Sequence, residues 1–185
     1  MPITTTPSGG PQGEYSTYTP IYAQTLSSAV VSVTLSSIPS TYTDLVLIMQ
    51  AKSTGTYGSL RVTVNSDAGA NYSHTALGGS GTAAGSSRAS GQNWFDFCRT
   101  SGISSDGFGL YTVNFMNYSN ATTYKTVLDR TSVQNTGSGD GTEIVAGVWR
   151  STAAINSITL ATPGGATFGN FAVGSTFTLY GIKAA

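Results

Sequence analysis

The residues through which this chain could do chemistry are few. It holds one histidine, His74, one cysteine, Cys98, and eight carboxylates. A catalytic nucleophile needs a base beside it and a third group to orient that base. His74 lies in Asn71-Tyr72-Ser73-His74-Thr75 and Cys98 in Trp94-Phe95-Asp96-Phe97-Cys98, and nothing in their spacing brings the two together. Neither a G-x-S-x-G elbow nor a G-x-x-x-x-G-K-[ST] phosphate loop occurs. His74 therefore reads as a polar residue of a strand edge or loop. Cys98 reads as a small buried hydrophobe.

Glycoside hydrolysis would need two carboxylates, one of them kept protonated by its surroundings. The available acids are Glu14, Asp44, Asp67, Asp96, Asp106, Asp129, Asp140 and Glu143. Asp96 alone sits between two rings, Phe95 and Phe97, but strand alternation turns its side chain away from them, toward solvent or an arginine. Asp129-Arg130 and Asp140/Glu143 read as ordinary surface or inter-subunit charges. Residues 135–143 carry oxygen donors and glycines, yet lack the D-x-[DN]-x-[DN]-G spacing that places ligands around calcium. The expectation is a protein that is not an enzyme, with no catalytic residue, no metal site and no cofactor. One cysteine also excludes an intrachain disulfide framework.

The elements that would position these residues are strands. Val31-Ser32-Val33-Thr34-Leu35 and Leu60-Arg61-Val62-Thr63-Val64 alternate apolar and polar side chains, the period of a half-buried strand. Asp44-Leu45-Val46-Leu47-Ile48-Met49 is apolar on both faces, which predicts a central strand. Further strands are expected over residues 93–97, 109–117, 124–134, 144–149, 157–160 and 175–182, about nine in all. In the last, Phe177 and Leu179 face one way and Thr176, Thr178 and Tyr180 the other. Residues 77–92, with GGSGTAAGSSRASG at their heart, read as a long glycine–serine loop, and residues 135–141 as a second long turn. No segment keeps a helical period over ten residues. Many short strands and glycine-rich turns predict an all-β antiparallel sandwich over residues 20–185. Residues 1–19, broken by Pro2, Pro7 and Pro11, form an extended N-terminal arm ahead of it, with Ile3, Tyr15 and Tyr18 as anchors for a partner.

Composition narrows the partners. Charged residues make up 9% of the 185 and the formal net charge is zero, so no basic footprint for nucleic acid exists. No run approaches the ~18 apolar residues of a membrane span. The N-terminus lacks the basic and apolar regions of a secretory signal, which predicts synthesis in a cytoplasm. Aromatic residues, including Tyr15, Tyr18, Tyr22, Tyr42, Tyr57, Tyr72, Trp94, Tyr111, Tyr118, Tyr124, Trp149 and Tyr180, could stack sugars, but such residues more often fill a core or an interface.

Two stretches carry a resemblance. Ile38-Pro39-Ser40-Thr41-Tyr42-Thr43-Asp44-Leu45-Val46-Leu47 leads on to Leu60-Arg61-Val62-Thr63-Val64-Asn65 and Asn71-Tyr72-Ser73. Gly147-Val148-Trp149 leads through Ala154-Ile155-Asn156-Ser157-Ile158-Thr159-Leu160 to Leu179-Tyr180-Gly181-Ile182-Lys183. Together they resemble small virion structural proteins of tailed bacteriophages, including cyanophages, in which such stretches bracket a jelly-roll-like domain. The likeness covers residues 21–185, apart from residues 77–135.

It implies a jelly-roll-like sandwich and, in many cases, a homotrimer; it supplies no catalytic residues. The functional expectation is a capsid decoration (cement) protein on the head exterior of the virion, binding the major capsid protein and stabilising contacts between its subunits. The alternative is a tail fibre or receptor-binding tip that recognises host surface glycan. A charge-poor sandwich also leaves sheet edges that assembly would hide.

Overall fold

The computed structural model describes residues 17–55, 58–98, 102–134 and 141–183. Their architecture is an antiparallel β-sandwich of two sheets. In chain order the strands are β1 (Tyr18–Thr25), β2 (Ser32–Leu35), β3 (Asp44–Ala51), β4 (Leu60–Val64), β5 (Tyr72–Gly79) and β6 (Ala84–Gln92). They continue with β7 (Phe95–Phe97), β8 (Gly109–Met116), β9 (Lys125–Val133), β10 (Gly141–Trp149), β11 (Ile158–Ala161) and β12 (Thr176–Ile182). The one helix among the described residues is a single turn, α1 (Gly165–Phe168).

One sheet has the order β1-β12-β3-β8-β9-β10-β5-β6 and the other β2-β11-β4-β7. Setting aside β5–β6 and β9–β10 leaves two four-stranded sheets, β1-β12-β3-β8 and β2-β11-β4-β7. That order is a jelly roll, the double Greek key that wraps eight strands into two sheets. The two hairpins are inserted after β4 and after β8, and they join side by side beyond β8. They widen one sheet from four strands to eight.

Alternation accounts for the core. In β4 the residues Leu60, Val62 and Val64 are buried, and in β12 Phe177 and Leu179 are buried while their neighbours are half-exposed. β3 lies between β12 and β8, and Leu45, Leu47 and Met49 are fully buried beneath it. Val46, on its outer side, is also buried, as expected for a strand apolar on both faces. Phe95 and Phe97 of β7 stack at 5.5 Å, and Tyr72 of β5 meets Phe95 edge-on at 4.9 Å. Through that contact the widened sheet curls over β7. Gly147 of β10 allows it, because a Cβ there would lie 2.7 Å from the Phe95 ring.

The two stretches that carry the sequence resemblance meet in space. β3 and β12 pair in the register Leu45 to Gly181, and the Thr43 N–H donates to the Ile182 carbonyl at 2.7 Å. The Tyr42 ring lies so close over Gly181 that any Cβ at that position would collide with it. The Lys183 ammonium stands 5.9 Å from the same ring. A bare glycine in the last strand is the condition for Tyr42 to close the end of the sandwich.

Several expectations need correction. There are twelve strands among the described residues, and residues 77–92 are not a loop: residues 77–79 end β5 and residues 84–92 form β6. β7 is shorter than residues 93–97. Tyr18 and Thr19 belong to β1 rather than to an arm. Residues 1–16 and 135–140 lie outside the described residues, and with them most of the arm and of the second long turn.

Candidate functional site

The chemistry-bearing side chains converge at the inner side of the widened sheet. In β9, Lys125, Val127, Asp129, Thr131 and Val133 face inward and are all buried. In β10 the inward set is Glu143, Val145, Gly147 and Trp149, and in β5 it is Tyr72, His74 and Ala76. Register places Asp129 opposite Val145, and Glu143 opposite Thr131. The two carboxylates are therefore diagonal neighbours on one face of adjacent strands. Asp129 is 0% exposed and Glu143 1%, so they are not the surface charges expected from sequence. His74 is also buried, on a strand flanked on both sides, not at an edge or in a loop.

The hydroxyl of Thr131 donates to Asp129 Oδ2 at 2.8 Å, and Asp129 Oδ1 is buried without a hydrogen-bond partner. Burial pushes the Asp129 carboxyl up to about 7, the Glu143 charge adds to the rise, and the Thr131 bond and Arg130 oppose it. Cys98 is buried, as expected, at a left-handed φ of 61° where β7 ends. Burial first, and the neighbouring Asp129 charge second, hold its thiol well above the usual range. The thiol makes a 3.9 Å contact with the Tyr111 hydroxyl, itself pushed up by burial. Such a thiol is inert rather than nucleophilic. Among the described residues, no three or more of His, Cys, Asp and Glu converge as a metal would require.

The other acids hold structure. Asp67 Oδ2 accepts from the Trp149 indole at 2.6 Å and from Asn71 at 2.9 Å, while Oδ1 accepts from the Gly69 N–H at 2.8 Å. Burial pulls the Asp67 carboxyl up, but these three bonds outweigh it and hold the group below its usual value. Asp96 is half-buried on the far side of β7 from the rings, and register sets it opposite Arg61. The Arg61 guanidinium lies 4.4 Å over the Trp94 ring. Asp140 lies outside the described residues.

The opposite, outer face of the large sheet is different in kind. One cross-strand row runs Thr178, Ile48, Thr112, Arg130, Ile144, Leu77 and Ser86 across seven strands. The next runs Tyr180, Val46, Asn114, Leu128, Ala146, Thr75 and Arg88. Leu77 is 59% exposed, Leu110 51%, Ile144 49%, Met116 42% and Ile48 37%. Over these seven strands, the charged side chains on the outer face are Asp44, Arg130 and Arg88. Two shallow hollows open on this side. One, of about 470 Å³, is lined by Ser73, Thr75, Arg88, Ser90 and Ala146, and another, of about 370 Å³, by Leu77, Arg130 and Ile144 among others.

Of the anchors expected in the arm, Ile3 and Tyr15 lie outside the described residues. Tyr18 is half-exposed on β1 and stacks edge-on against Tyr180 at 5.8 Å. Much of the aromatic set is core: Tyr72, Tyr111, Tyr118 and Trp149 are buried. Among the described residues no helix is long and apolar enough to cross a membrane. The chain matches no family model, and no curated protein or solved structure is detectably similar to it.

Proposed function

We propose that this protein is a non-catalytic virion structural protein of a tailed bacteriophage, a decoration protein that binds the outside of the head and stabilises contacts between major capsid subunits. The observation that carries this reading is the outer face of the eight-stranded sheet. Eight strands at ~4.8 Å spacing and about seven residues at ~3.3 Å rise give a face of roughly 900 Å². A standard stable interface needs roughly 800 Å² per partner. Exposed aliphatic residues set in a rim of Ser, Thr and Asn are the anatomy of a protein contact surface.

Fully burying a Leu or Ile contributes roughly 1.5–3 kcal/mol; Leu77, Leu110 and Ile144 are each about half-exposed, so together they would contribute roughly 2–5 kcal/mol toward a contact. The scarcity of charge means that few ionic groups must be desolvated. The inserted hairpins β9–β10 and β5–β6 contribute Ile144 and Leu77, so the surface exists because the sheet was widened. The buried acids and the inert thiol bear on stability and offer no turnover. The resemblance to phage virion proteins supplies the setting, and its two stretches build the end of the sandwich where Tyr42 meets Gly181. Tyr18, and with it the arm, would extend the contact along a neighbouring subunit.

The test is an inventory of purified particles from the phage that carries this sequence. The wild-type chain is expected in the head at a copy number comparable with the major capsid protein. A Leu110→Glu/Ile144→Glu double variant, folded by circular dichroism, is expected to be lost from particles. Full retention of that variant would refute the outer face as the docking surface.

A further inference from the structure

A sheet that is wide on one side of a sandwich leaves edges, and the four edges here are not alike. β1 is interrupted by Pro20 and by a register shift between Pro20 and Tyr22. β2 has four residues and β7 three. Short strands, proline and bulges are the ordinary ways in which an edge is kept from pairing. In β6 the register shifts once, near its end between Ala89 and Gln92, and residues 84–89 carry none of these devices. The strand runs nine residues, contains no proline, and not one of its residues is buried. Among the described residues no strand lies beyond it.

We propose that β6 is an assembly edge that pairs antiparallel with β6 of a second copy of this chain, joining two large sheets into one. Its sequence, Ala84-Gly85-Ser86-Ser87-Arg88-Ala89-Ser90-Gly91-Gln92, selects this partner. In strand addition, backbone bonds give affinity and pockets for alternate side chains give specificity. Apart from Arg88 and Gln92, β6 offers only small side chains, too short to fill a foreign pocket. An identical strand pairs with it edge to edge, with little side-chain bulk on either face. A two-fold contact of this kind is self-complementary and closes at two copies.

The single charge fixes the register. Centring the pair on Arg88 would set two guanidinium groups opposite one another, which is unfavourable. Centring it on Ser87 sets Arg88 opposite Ser86 of the second copy, Ala89 opposite Gly85, and Ser90 opposite Ala84. Seven residues then pair without a like-charge contact. A contact between two copies forms in solution whether or not a shell is present, so it does not depend on the head location. It also differs from the three-fold arrangement that the sequence resemblance implies.

Sedimentation equilibrium of the purified full chain tests it. The expected mass is twice the 19.0 kDa of one chain. Ser87→Pro removes a ladder donor and should give the monomer mass with the β circular dichroism retained. If that variant fails to fold, Ser87→Cys decides. Directly opposed strand positions lie within disulfide reach, so oxidised glutathione should cross-link this variant into covalent dimers. Ser132→Cys, on the outer face of β9, should cross-link at least tenfold more slowly. A wild-type monomer, a trimer, a dimer that survives Ser87→Pro, or equal cross-linking at the two positions would overturn the proposal.

Discussion

Replacing Asp129 by asparagine should make the protein more stable at pH 8 and leave it little changed at pH 5. Asp129 is fully buried on β9, and its carboxyl is pushed from 3.8 up to about 7, chiefly by burial. The folded protein therefore holds a proton on Asp129 that the unfolded chain releases. A raised acid contributes stability that is fully present below pH 3.8 and is lost as pH rises through about 7. A tenfold change in proton affinity is worth ~1.4 kcal/mol, so between pH 5 and pH 8 the wild type should lose roughly 2.5 kcal/mol from this group alone.

The asparagine side chain would be neutral at both pH values, and its carbonyl can still accept the Thr131 hydroxyl. For a chain of this length the difference corresponds to roughly 5–10 °C in Tm. The assay is thermal unfolding followed by circular dichroism from pH 5 to pH 8 for both proteins. Glu143, whose charge adds to the rise at Asp129, is present in both proteins, so the difference between the two profiles reports the Asp129 proton together with its coupling to Glu143. Parallel profiles across that range would refute the reasoning.

Two further substitutions probe the frame. Gly181→Ala places a Cβ against the Tyr42 ring and should cost about 1–3 kcal/mol, as overpacking does, read by urea unfolding; an unchanged midpoint would mean the ring moves aside freely. Asp67→Ala removes the acceptor of the Trp149, Asn71 and Gly69 donors and should cost about 1–3 kcal/mol. Since Asp67 is held below its usual value, its contribution is present above pH 3.8 and lost as pH falls below it, so the gap between wild type and variant should narrow on acidification.

How far the sequence reveals this molecule depends on how each strand is held. β4, β3 and β12 declare themselves because their side chains pack on a core, and the Leu60/Val62/Val64 alternation is the trace of that packing. β6 leaves no such trace. Ala84–Gln92 buries nothing and is held by its backbone pairing with β5, so its glycines and serines read as a loop.

The buried acids are legible in principle. In Lys125-Thr126-Val127-Leu128-Asp129-Arg130-Thr131-Ser132-Val133, Asp129 shares parity with Val127 and Val133, and in β10 Glu143 shares parity with Val145 and Trp149. The general preference of charge for the surface points the other way and masks this parity. The sideways union of two hairpins inserted far apart in sequence has no local signal at all. The exposed aliphatic face depends on that union and is hidden with it.

The most direct measurement is the copy number of this protein per particle, by quantitative mass spectrometry against the major capsid protein. A ratio near one to one is what a decoration protein docking through its wide sheet face predicts. A ratio of a few per hundred, or absence from the particle, would contradict that role.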